Sequence, residues 1–137
     1  MAGTITQKLQ SWGSAREGTT MMHYILTCTG DASNGSFPAT ALGLKRALRG
    51  CRLEAMETHP GPTAPTALYD ITITDDGGFD MLGGAGADRS ATVTERVVPV
   101  VANGIVGTTQ VSGVVTLNIT NNSVNSAVIV IDLWFSR

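Results

Sequence analysis

Charge is scarce in this chain of 137 residues: Asp, Glu, Lys and Arg together make up 15%, and the formal net charge is −2. Without a polybasic stripe, contact with a nucleic-acid backbone or an acidic membrane surface loses its electrostatic basis, so neither is expected as a partner. Aromatic residues are equally thin at 5%, too few for the row of exposed rings on which sugar-binding surfaces stack their ligands. There are two histidines, His23 and His59. Each lies at or near the end of a strand-like segment, with no nucleophile motif around it, so no catalytic residue is assigned. The two cysteines, Cys28 and Cys51, fall on apolar faces and are expected as free, packed thiols rather than a bridge. The longest apolar run, Ala127 to Ile131, is far short of the roughly 20 residues that span a bilayer, and no signal-peptide pattern opens the chain. Synthesis in a cytoplasm is the expectation.

What is present is β chemistry. Tyr69, Ile71 and Ile73 alternate with Asp70, Thr72 and Thr74, the period-two pattern of a half-buried strand, and Asp75-Asp76-Gly77-Gly78 ends it. Similar alternation marks Met21–Thr29 and Cys51–Thr58, the latter with Cys51, Leu53 and Ala55 on one face. Val115, Leu117 and Ile119 alternate with Thr116, Asn118 and Thr120. The loop Asn121–Asn125 and the apolar run Ala127–Phe135 then suggest a closing β-hairpin whose second strand is apolar on both faces. Some seven short strands separated by Gly, Asn and Pro turns predict an all-β chain, an antiparallel β-sandwich with the jelly roll as one available arrangement. Ala39–Arg49 fits either a short helix or a bent strand. Residues 1–20 carry only Ile5, Leu9 and Trp12 as apolar anchors and are expected to form an extended N-terminal arm to a domain spanning residues 21–137.

Motifs that invite a chemical reading yield loop geometry instead. Gly83 to Asp88, GGAGAD, has no Gly-Lys-Ser/Thr after it and opens no helix, so it is not a phosphate loop. Asp75, Asp76 and Asp80 lack the alternate ligand spacing of a calcium loop. The cysteines and histidines are not spaced for zinc. No metal and no cofactor are therefore expected. Asn34-Gly-Ser, Asn118-Ile-Thr and Asn121-Asn-Ser match glycosylation acceptors, which matter only in a secreted chain.

The succession ETHPGPTAPTALYDITITDDGGFDMLGGAGADRSATVTE, followed by VVTLNITNNSVNSAVIVIDLWF, resembles a family of small virion proteins of tailed bacteriophages over roughly Ser36 to Phe135. The resemblance implies a non-enzymatic structural component assembled in the host cytoplasm and residing on the virion. A capsid decoration (cement) protein bound to the major capsid protein is the first reading, with a tail, neck or baseplate subunit as the alternative and a receptor- or glycan-binding module third. By analogy with cement proteins at local three-fold positions, and because the strand 127–135 calls for cover on both sides, self-association as a homotrimer is expected. Ile5, Leu9, Trp12 and Trp134 are the candidate partner-binding residues.

Overall fold

The computed structural model describes residues 2–14, 19–43, 48 and 50–137. Among these the strands are β1 (Thr4–Ser14), β2 (Thr19–Thr29), β3 (Thr40–Ala41), β4 (Arg52–Pro60), β5 (Asp70–Thr74), β6 (Glu95–Val97), β7 (Val100–Ala102), β8 (Ile105–Val106), β9 (Thr109–Gln110), β10 (Thr116–Thr120) and β11 (Val128–Ser136). The chain is an antiparallel β-sandwich. One sheet runs β1-β2-β11-β4-β6, with β9 also on β4; the other runs β3-β10-β5; β7 and β8 form a separate ribbon. From β2 through β5, and again from β9 to β11, each connection carries the chain from one sheet to the other, the habit of a jelly roll.

Alternation explains which residues fill the space between the sheets. In β11, Ile129, Ile131, Leu133 and Phe135 are fully buried, and they meet Ile71, Ile73, Leu117 and Ile119 of the small sheet together with Tyr24, Leu26 and Cys28 of β2. Cys28 and Cys51 are both buried, and neither is joined in a disulfide. Two glycines of the GGAGA loop, Gly83 and Gly86, serve close approach. A Cβ on Gly83 would lie 1.8 Å from the Val100 carbonyl oxygen, and one on Gly86 would lie 2.1 Å from that of Ile71.

Three expectations change on the structure. The predicted closing hairpin does not form: β10 pairs with β3 and β5, whereas β11 pairs with β2 and β4, so residues 121–127 arch between sheets. Asn122 secures that arch, its side chain accepting from Thr66 N and donating to the Gly35 and Val124 carbonyls. The N-terminal arm is laid down on its own domain. Thr4–Ser14 pairs with β2 along its entire length, Ile5 packs against the core, and the Gln7 side chain bonds Ala41 O and Gly43 N beyond β3. Backbone pairing orders a segment with few apolar anchors once a long neighbour offers a free edge. Finally, strict alternation in β4 is broken. Trp134 pairs with Ala55 but Phe135 pairs with Leu53, a bulge that leaves Glu54 and Ala55 both half-buried and turns Met56 and Thr58 inward. Of the Ala39–Arg49 stretch, Thr40–Ala41 is strand β3, while residues 44–47 and 49 lie outside the described residues.

Candidate functional site

The β4 bulge has a chemical result: with parity reset, Glu57 and His59 face outward on the large sheet. On the adjacent strand β11, Asp132 occupies the outward position directly opposite Glu57 and opposite Ile25 of β2. Four ionisable groups gather there. His23 Nε2 lies 2.6 Å from Asp132 Oδ1, and His59 Nε2 lies 2.6 Å from Asp132 Oδ2 and 3.3 Å from Glu57 Oε1. Both of the chain's histidines thus converge on one carboxylate.

Around this centre lies a fixed frame. His59 Nδ1 is 3.1 Å from Thr94 Oγ1, and Arg96 Nε, on β6, donates to Glu57 Oε2 at 2.9 Å. Trp134, one outward position beyond Asp132, stacks on His23 with ring centroids 4.8 Å apart and planes 13° from parallel. The Arg96 guanidinium carbon sits 4.6 Å from the centroid of the Trp134 ring. The imidazole approaches from β2 and the cation from β6, on either side of β11, so the indole is engaged by its own domain. Glu57, His59 and Asp132 are half-buried, and their ligand atoms all lie within 4.8 Å of one another, close enough to share a metal ion. No charged partner compensates these carboxylates other than Arg96 and the two imidazoles among the described pairs.

A second surface is apolar. The β7–β8 ribbon turns at Asn103-Gly104, where φ is +47° and +77°, the left-handed pair a tight hairpin turn uses. Its root is pinned by Val100 N donating to Leu82 O at 3.0 Å and Gly107 N donating to Pro99 O at 3.0 Å. Beyond this anchor Val101, Ile105 and Val106 stand in solvent, Ile105 being 63% and Val106 60% exposed, and Val98 is exposed just before it.

No protein-family model and no curated protein matches this chain. Among solved structures, the CBM22-1 xylan-binding domain from Paenibacillus barcinonensis Xyn10C aligns at 14% identity with a TM-score of 0.36, covering 99% of this chain and 85% of that domain.

Among the described side chains, those of Ile5 and Leu9 are not brought together with that of Trp134. Ile5 and Leu9 pair with Cys28 and Tyr24, whose side chains face the core, whereas Trp134 is on the outer face beside His23. Trp12 pairs with Met21 in the backbone register, and its side chain lies outside the described residues. Asp75, Asp76 and Asp80 turn to backbone amides rather than to one another. Asp75 accepts from Gly77 and Phe79, Asp76 from Val114, and Asp80 from Ile73, Leu82 and Gly84. The sequence reading passed over Glu57, Arg96 and Asp132. The available signal was a single acid inside the run Ile129–Phe135, where an apolar residue would serve any buried strand face.

Proposed function

We propose that this chain is a non-enzymatic structural subunit of a tailed-bacteriophage particle, a decoration (cement) protein that binds the major capsid protein and self-associates as a homotrimer. The observation that carries the reading is the β7–β8 ribbon, which holds Val101, Ile105 and Val106 away from the core on a glycine-turned support, with Val98 exposed just before it. Aliphatic residues grouped in this way on a chain of low charge favour a permanent protein contact over a dissolved existence. The resemblance of Ser36–Phe135 to small virion proteins supplies the particle. The outer face of β11 supplies no argument for the trimer, since Asp132 and its partners fill it.

Particles produced by the genome that encodes the chain provide the test. Quantitative mass spectrometry of purified particles should find on the order of hundreds of copies per particle, as a lattice-covering subunit requires. Absence from the particles would overturn the reading, and a number near the order of a dozen would move the protein to a tail or neck ring. Adding purified chain to particles that lack it should restore attachment, and Ile105→Asp with Val106→Asp should weaken that attachment about ten-fold or more while leaving the circular dichroism spectrum unchanged.

A further inference from the structure

We propose that Glu57, His59 and Asp132 form a binding site for one divalent zinc-type metal ion on the outer face of the large sheet. The ligand atoms are His59 Nε2, Asp132 Oδ2 and Glu57 Oε1. Zinc accepts imidazole nitrogen and carboxylate oxygen at about 2.0–2.2 Å, which places neighbouring ligands of a tetrahedral site roughly 3.4 Å apart. His59 Nε2 and Glu57 Oε1 are already 3.3 Å apart. Asp132 Oδ2, at 2.6 Å from His59 Nε2, reaches the same spacing by swinging back roughly 0.8 Å.

The second line of argument is what holds the three ligands. Each has its other polar atom engaged by a different partner: Thr94 Oγ1 on His59 Nδ1, Arg96 Nε on Glu57 Oε2, and His23 Nε2 on Asp132 Oδ1. Such outer contacts are what orient metal ligands and set the imidazole tautomer. Without an ion the 2.6 Å contact is a hydrogen bond in which His59 Nε2–H donates to Asp132 Oδ2; a metal ion takes the place of that proton, while Nδ1 keeps Thr94 Oγ1 as its partner. A nitrogen donor in the set selects a borderline first-row ion over calcium or magnesium, which prefer oxygen throughout. Three protein ligands leave the fourth position of a tetrahedral ion to water. The ion ties β11 to β4 and, through Thr94 and Arg96, to the approach and middle of β6.

The test uses the full chain, stripped with a chelator and titrated with Zn²⁺ alone. One ion per chain is expected, with an upward shift of the thermal midpoint that grows with zinc concentration, because an ion bound only by the folded state stabilises it by mass action. Asp132→Asn, Glu57→Gln and His59→Gln should each weaken binding by at least about ten-fold, and Thr94→Val by about ten-fold through the lost outer contact. Substituting Co²⁺ should give a visible absorption band that these variants lack. Wild-type chain that binds no zinc, or variants that bind it as well as wild type, would overturn the proposal. Should Asp132→Asn fail to fold, Glu57→Gln and the wild-type titration decide it.

Discussion

Gly83 and Gly84 both have positive φ, at +60° and +88°, yet their surroundings differ completely. A methyl group on Gly83 collides with the Val100 carbonyl, while nothing lies within 4 Å of one on Gly84. Gly84→Ala should therefore cost only the left-handed backbone penalty, about 1–2 kcal/mol. Gly83→Ala adds displacement of the β7–β8 ribbon from its anchor and should cost about 3 kcal/mol or more. Urea denaturation of the two variants side by side measures the gap, and equal midpoints would remove the packing argument. The sequence showed that this loop is glycine-rich for geometry, but not which glycine faces a carbonyl, since Val100 lies far along the chain. Asp132 was legible in principle, as a lone acid in an apolar run; its partners were hidden, because His23 lies 109 positions away and His59 73.

At the level of strands, legibility followed the number of buried side chains. β5, β10 and β11 each alternate strictly and stand out from the sequence. In sequence β1 reads as an arm because an edge strand spends most of its side chains on solvent, and Leu9 is 46% exposed. The β4 bulge defeated extrapolation differently: counting by twos from Leu53 sends Glu57 and His59 into the core, and only the extra residue at 54–55 returns them to the surface. The arching of residues 121–127 could not be told from a hairpin, since both need the same turn chemistry and the same flanking alternation. For β1 a direct outcome follows. Deleting residues 2–14 strips eleven paired positions from β2 and bares its backbone edge, so the truncated chain should melt at a lower temperature and self-associate. Calorimetry and sedimentation velocity check this, and a monomeric truncation of unchanged melting temperature would show β1 to be dispensable.

For the molecule as a whole, the sandwich class was plain from the alternating segments, whereas the order of strands depended on contacts between distant parts. The core also carries a pH signature. Burial pushes the Cys28 thiol from 9.0 up to about 12 and the Tyr69 hydroxyl from 10.0 up to about 12; Tyr24 moves the same way, through burial first and Cys51 second. The folded chain holds these protons longer than the unfolded one, so their contribution is complete below the unfolded values and is lost as pH rises toward the folded ones. The unfolding free energy from urea titration should stay level from about pH 7 to 8.5 and fall between about 9 and 11, at up to about 1.4 kcal/mol per pH unit for each group, with the midpoint falling in step. A midpoint at about pH 10.5 equal to that at 8 would contradict the burial of these groups. In the same way, Cys28 should resist alkylation in the native chain at pH 8 and react once unfolded, as intact mass would show.

The crossing of the chain between sheets also has a consequence in time. β2 takes β11 as its inner neighbour, and His23 and Asp132 across that seam are 109 residues apart. During synthesis at about 5–20 residues per second, β2 emerges from the ribosome roughly 5–20 seconds before the strand that completes it. Throughout that interval β1 is, among the described strands, the sole partner β2 can have in its final sheet, and the opposite edge is a row of unsatisfied amides and carbonyls. Folding of so non-local a topology is slow even once the chain is complete, in milliseconds to seconds. The nascent protein is therefore most exposed to mispairing with its neighbours on a polysome, before the last strand arrives.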